Sequence, residues 1–260
     1  MTQKISSFHF CTSTLPTERK KVEWREVMNN FYLSSDLIPE QVLGKAEDAI
    51  FEAKVSGYFF KNFVYINVDA DPQKYYSDEE KVLKSGYDGL IIQLHLDGYM
   101  DFSGDAPSVR NSKGDITILD MSREMIGISS KMETTNLIMP RHVLSKYITN
   151  IGSLHMQTLN SKSVMTRLLA NHMTALAKEA KNVTQNEILD VSKLTTELVI
   201  SALQNHIKTT NIARSTFDYS LLFKIKEYIC SNIQNTDLSV VDICAKYHIS
   251  RAKLYRITEP

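Results

Sequence analysis

Leu238-Ser239-Val240-Val241-Asp242-Ile243-Cys244-Ala245-Lys246-Tyr247-His248-Ile249-Ser250-Arg251-Ala252-Lys253-Leu254-Tyr255-Arg256-Ile257 reads as two short helices joined by a tight turn. Ser239 is a suitable N-cap for the first, and Val240, Ile243, Cys244 and Tyr247 then recur at helical spacing. His248-Ile249-Ser250 interrupts the run. Ser250 can cap the second helix, whose Leu254 and Ile257 point back at the first. Cys244 is small where the helices must cross, and Ile249 is the apolar plug of the turn. Arg251, Lys253, Tyr255 and Arg256 make up the other face of the second helix, with no acidic residue among them. A short helix held at a fixed angle by a partner fits the DNA major groove. The competing reading is an ordinary αα-hairpin with a solvated basic face.

The residues carry a resemblance. Leu238-Ser239-Val240, Asp242-Ile243, Ile249-Ser250-Arg251 and Leu254-Tyr255-Arg256 are similar, in that order, to the first helix-turn-helix of the AraC/XylS family of bacterial transcription regulators. The resemblance implies that Ser250 and Arg251 sit at the N-terminus of a recognition helix, where phosphate contacts are expected. It implies that Ala252, Tyr255 and Arg256 face base edges, with Lys253 beside them. Arg256 is the strongest candidate, because arginine can bond two acceptors of guanine at once. The chain departs from the pattern at His248, where such turns usually have glycine, and at Thr258, where the family places a large apolar residue. It ends at Pro260, whereas the family continues with a connecting helix and a second helix-turn-helix; the expectation is a fragment or a protein that works without its second reader.

The 260 residues allow one large domain or two moderate ones, and 43% hydrophobic content supports a real core. The 30 basic and 30 acidic residues cancel, so contact with nucleic acid must come from a local patch. From Tyr219 onward the basic residues are Lys224, Lys226, Lys246, Arg251, Lys253 and Arg256, against Glu227, Asp237, Asp242 and Glu259. Cys11, Cys230 and Cys244 are odd in number, far apart and outside any CxxC pattern. They read as reduced residues of a cytoplasmic protein. No leader-like or membrane-spanning run is visible.

Outward from the C-terminal hairpin, Phe217 to Gln234 reads as a buttressing helix with Leu221, Leu222, Ile225, Ile229 and Ile233 buried. Lys208 to Thr216 is polar and reads as a linker. Before it, Ser163 to Lys181 and Ile188 to Ile207 are amphipathic helices forming a hairpin. The first carries Val164, Leu168, Leu169, Met173, Leu176 and Ala177 on one face. That stripe suits either the internal core or a second subunit, and the resemblance implies a homodimer.

The first half has the character of strands. Phe51 to Gly57, Phe63 to Val68, Leu90 to Leu96, Tyr99 to Phe102 and Ile116 to Asp120 are rich in aromatic and β-branched residues, with turns at Asp97-Gly98 and Asn111 to Asp115. Such spacing predicts an antiparallel sandwich or small barrel. Thr17 opens a helix ahead of it, in which Trp24 anchors the helix to the strands, and Pro39 ends that region. Lys113-Gly114-Asp115-Ile116 with Leu119-Asp120, Met139-Pro140-Arg141-His142-Val143-Leu144, and Arg19 with Trp24-Arg25-Glu26 resemble segments of the cupin-like sensor domain found ahead of AraC-type helix-turn-helix units.

The expected fold is therefore α+β: a cupin-like antiparallel β-barrel with an N-terminal helix (1–150), a helical hairpin suited to dimerisation (151–207), a linker (208–216) and an all-α helix-turn-helix unit (217–260).

No catalytic motif is present. The seven histidines make no HxH or HExxH, and His95 is alone on its strand where a cupin metal site needs at least three convergent ligands. No metal, no cofactor and no enzymatic activity are expected. A small barrel can instead hold one small ligand. Tyr65, Gln93, His95 and Tyr99 are the polar strand residues that would contact it if they point inward. The expected function is a DNA-binding regulator answering to a small-molecule effector, with double-stranded promoter DNA and, by the resemblance, RNA polymerase as partners and no membrane. Two other classes stay open at this point: a truncated ligand-binding, dimerising decoy without independent DNA binding, and a cupin-type metalloenzyme.

Overall fold

The computed structural model describes residues 3–30, 34–37, 50–78, 80–82, 87–104, 106–148, 151–210, 221, 224–225, 228–229, 231–235 and 238–258; at 34–37 and 257 only the backbone is described. Pro39, Leu222, Cys230 and residues 211–220 of the expected linker and buttressing helix lie outside these.

The elements run β1 (Ser7–Cys11), α1 (Thr17–Asn30), β2 (Ser34–Leu37), β3 (Ala53–Phe59), β4 (Val64–Ala70), β5 (Gln73–Ser77), β6 (Gly89–Asp97), β7 (Tyr99–Gly104), β8 (Val109–Ser112), β9 (Ile116–Asp120), β10 (Met125–Ser129), β11 (Met132–Pro140), α2 (Arg141–Leu144), β12 (Gln157–Leu159), α3 (Val164–Glu179), α4 (Ile188–Thr210), α5 (Val240–Tyr247) and α6 (Arg251–Thr258). The strands form two antiparallel sheets, in the orders β1-β3-β4-β11-β6-β9-β12 and β2-β5-β10-β7-β8. Together they make the cupin-like barrel; α1 lies between β1 and β2, α2 between β11 and β12, and α3 to α6 follow the barrel in the chain.

The larger sheet is covered on both faces. Side chains alternate along a strand, so Tyr65, Leu90, Ile92, Leu94, Leu137 and Met139 face one cluster, which includes Leu169, Met173, Val199 and Leu203 of α3 and α4. Ile66, Val68, Ile91 and Leu119 face the other, between the sheets, with Met100, Phe102, Met125 and Met132. Two buried faces explain why β6 reads Leu90-Ile91-Ile92 rather than apolar–polar. Gly98 and Gly114 take φ of 74° and 90° in the two turns, conformations open to glycine at little steric cost.

The N-terminal helix begins at Thr17. Its Trp24 is 1% exposed and donates from Nε1 to Gln73 Oε1 at 2.7 Å, locking α1 onto β5. The stripe expected on the first hairpin helix is divided. Leu169, Met173 and Leu176 are buried on the sheet, while Val164 and Leu168 remain 59% and 49% exposed. The hairpin is tied to the barrel by the Tyr65 hydroxyl, which donates to Met173 O at 2.9 Å, and by Ser192 Oγ, which accepts from Lys61 N at 3.1 Å. Helix α4 runs to Thr210, into the stretch expected as linker. In the buttressing segment Leu221 and Ile225 are buried as expected, but Ile229 and Ile233 are 38% and 78% exposed, the latter because residues 232–234 form a turn that takes it off the helix face.

Candidate nucleic-acid interface and ligand cavity

The C-terminal hairpin is held by caps that its sequence supplies. Ser239 N donates to Asp242 Oδ2 at 3.0 Å and Asp242 N donates to Ser239 Oγ at 3.4 Å, a reciprocal capping box at the start of α5. The two bonds from Ser239 hold the Asp242 carboxyl below the usual carboxylate range. At the other end His248 takes φ 52°, ψ 45°, and Ile249 N donates to Cys244 O at 3.1 Å, the left-handed stop that lets the chain reverse. Ser250 Oγ accepts from Lys253 N at 3.1 Å and caps α6.

Leu221, Ile225, Ile243 and Leu254 form a small core, with Cys244 and Ile249 packed against it. The Tyr247 hydroxyl donates to Lys224 O at 2.6 Å, and the Tyr247 ring meets that of Tyr228 edge-on. This fixes α5 against the preceding helical residues.

Successive residues of a helix are rotated by about 100°. With Leu254 turned into the core, Ala252 and Arg256 fall on the opposite side of α6, Tyr255 and Arg251 lie between them and Leu254, and all four are exposed. Lys253 is half-buried at its edge, and Ser250 is exposed at the N-terminus. The structure thus brings the six candidate DNA-binding residues to one helix and its cap. Thr258 is exposed and donates its hydroxyl back to Leu254 O at 3.0 Å, so it takes no part in the core.

Between the two sheets lies a cavity of about 260 Å³, lined mostly by aliphatic, aromatic and methionine side chains. Gln93 lines it, as do Asn136, Thr134 and Tyr75. Gln93 Nε2 donates to Asn136 Oδ1 at 3.0 Å, and Asn136 Nδ2 donates to Ile66 O and Thr134 Oγ1, each at 3.3 Å.

The other three expected ligand contacts are placed elsewhere. Tyr65 lies on the opposite face of β4 from Val64, Ile66 and Val68, which line the cavity, and its hydroxyl is taken up by Met173 O and by Thr135 Oγ1, which donates to it. Burial pushes its phenol pKa up. Tyr99 alternates with the cavity-lining Met100 and Phe102, so it faces out, 39% exposed beneath the Arg110 guanidinium at 4.7 Å. His95 shares the parity of Gln93 and pairs with Thr134, yet does not line the cavity. It is fully buried with no partner on either ring nitrogen, and burial brings its pKa down to about 4 against a weaker opposing pull from Asp115.

Asn136, Thr134 and Tyr75 escape the sequence reading because β5 and β11 are not recognised there as strands. The methionines that wall the cavity (Met28, Met100, Met121, Met125 and Met132) leave a trace in the sequence, but one without periodicity. Among the described residues no group of three His, Cys, Asp or Glu side chains comes together as a metal site requires, and no helix is long and apolar enough to cross a membrane.

No family model and no curated protein matches the chain. Among solved structures it is similar to the AraC-like transcriptional activator CuxR, with a TM-score of 0.71 at 19% identity, over 97% of this chain and 88% of that one. A variant of ToxT from Vibrio cholerae strain SCE256 is similar over 75% of this chain and 74% of its own, at 12% identity and a TM-score of 0.46. An RmlC-like cupin protein from Desulfovibrio desulfuricans covers 37% of this chain and 93% of its own, at 15% identity and a TM-score of 0.28.

Proposed function

We propose that this chain, which has the fold of an AraC-like regulator, is a sequence-specific DNA-binding transcription regulator whose barrel takes a small-molecule effector. The observation that carries the reading is the α6 surface. An N-capped helix, held by its neighbour, turns Arg251, Ala252, Tyr255 and Arg256 outward with no acidic side chain among them. Ser250, Arg251 and Lys253 would contact phosphates, which position the helix without reading sequence. Arg256, with Ala252 and Tyr255, would reach base edges, where a bidentate arginine discriminates by about 1–3 kcal/mol.

The test is a mobility shift of labelled promoter DNA at graded salt. Affinity should fall with salt, with a log–log slope of about 0.9 per phosphate neutralised. Arg256→Ala should weaken cognate binding by about 1–3 kcal/mol and relax preference at one base pair, while Lys253→Ala weakens all sequences alike. Parent protein that shifts no DNA at any salt would overturn the reading and favour a ligand-binding decoy.

Subunit pairing fits the same reading. Val164 and Leu168 of α3, and Leu189 and Leu194 of α4, stay exposed after the hairpin has covered the sheet. An apolar contact between copies would bury them. Sedimentation equilibrium tests it: Leu168→Glu should shift a dimer toward monomer.

A further inference from the structure

We infer that the barrel cavity selects a small, uncharged aromatic molecule bearing one hydrogen-bond donor, and that Gln93 Oε1 is the acceptor that selects it. This names the effector class of the site proposed above. It depends on that proposal only for its regulatory consequence, since binding is measured without DNA.

Size comes first. A cavity of about 150 Å³ is known to hold benzene, so one of 260 Å³ accommodates about ten non-hydrogen atoms. Charge comes next. None of the described residues lining the cavity is ionisable as an acid or base near neutral pH. A carboxylate, phosphate or ammonium entering it would lose its hydration and gain no counter-ion. The wall then favours a flat ring. Met28, Met100, Met121, Met125 and Met132 present flexible, polarisable thioethers, which pack well against aromatic edges. Phe59 and Tyr87 also line the cavity and are 45% and 51% exposed, so it reaches the surface.

The polar requirement follows from a chain of hydrogen bonds whose direction is set at one end. The carbonyl of Ile66 can only accept, so the nitrogen of the Asn136 amide must face it. Asn136 Oδ1 is thereby turned to Gln93, whose nitrogen must donate to it. That leaves Gln93 Oε1 as the free end of the relay, without a partner on a residue only 8% exposed. A buried acceptor so left is costly, and a ligand N–H or O–H removes the cost. Tyr75 also lines the cavity, and its buried hydroxyl is without a partner and can donate or accept. A site with a buried acceptor discriminates strongly against an analogue lacking the donor.

The experiment titrates the full chain, without DNA, by calorimetry with three matched probes: indole, 1-methylindole and indole-3-carboxylate. Indole should bind saturably at one site, 1-methylindole at least about tenfold more weakly, and indole-3-carboxylate not measurably. Gln93→Met, which keeps the apolar bulk and removes the acceptor, should bring indole and 1-methylindole to equal affinity. Should that variant not fold, the ratio between the probes on the parent chain decides. Equal binding of indole and 1-methylindole by the parent, tightest binding of the carboxylate, or no binding of any probe would each overturn the assignment. A failure here leaves the DNA reading standing, and loss of DNA binding with indole binding intact would overturn only the regulatory proposal.

Discussion

The guanidinium of Arg141, at the first position of α2, pairs with the carboxylate of Asp120 at the end of β9, and both side chains are almost wholly buried. Arg141 also holds Asp88 and donates to Ser122 Oγ at 3.0 Å, while Ser122 N donates to Asp120 Oδ1 at 2.9 Å. Burial pushes the Asp120 carboxyl up, but Arg141 and Ser122 together outweigh it and hold the group below the usual carboxylate range. Two of the segments that carry the family resemblance, one ending in Asp120 and one containing Arg141, thus meet in a single ion pair. The pair ties the exit of β11 to the exit of β9 across the start of β6, which lies between them in the sheet.

Arg141→Ala should leave Asp120 buried and unpaired, and destabilise the fold by about 3–5 kcal/mol. Urea unfolding of the full chain checks this. A loss below about 1 kcal/mol, the value of an exposed pair, would show that the pair is solvated.

Tyr65 joins the sheet to α3 through its bond to Met173 O. Tyr65→Phe should cost about 1–2 kcal/mol in thermal unfolding, because the phenol's partners are buried. Indole binding by the cavity should be unchanged, since the side chain lies on the far face of β4. A large fall in indole affinity would put Tyr65 back among the ligand contacts.

His95 gives the barrel an acid sensitivity. Its folded pKa is depressed to about 4 from 6.5, so the folded state prefers the neutral ring. Stability is complete above about pH 6.5 and is lost as pH falls toward 4, by roughly 3 kcal/mol from this group. Burial also lowers the pKa values of His172 and His206, which add in the same direction. Urea unfolding at pH 7 and pH 4.5 should therefore differ less in His95→Gln than in the parent. An identical pH dependence in both would show that His95 is solvated.

His248 occupies the left-handed region where a β-branched side chain is strained. His248→Val should destabilise the hairpin by about 1–2 kcal/mol, whereas His248→Gly should be tolerated to within about 1 kcal/mol. Amide exchange across 240–258 reads this directly, with faster exchange expected in the valine variant alone.

Local chemistry was legible wherever one stretch of chain contains all the partners. Ser239 and Asp242 cap α5 from three residues apart, Leu254 faces Ile243 across one turn, and Gly98 and Gly114 mark their turns. The same holds for the spread of exposed residues on α6, which follows from helical period alone. The strands were harder. β11 was not recognised because Thr134, Thr135 and Asn136 interrupt its apolar pattern, and those residues prove to serve the barrel interior and the Tyr65 tether.

Sequence by itself determined the class of the molecule: an antiparallel barrel, an amphipathic helical hairpin and a capped C-terminal helix pair whose second member is basic and acid-free. Period and capping are local properties, and they survive reading in one dimension. Tertiary structure alone decided which strand face is inside, and so moved Tyr65 and Tyr99 out of the cavity, kept Gln93 in it and brought Asn136 and Tyr75 to join it. A strand's alternation defines two faces without naming either. Only the packing of one sheet between a second sheet and the helices gives each face its neighbour, because burial is a relation between distant segments.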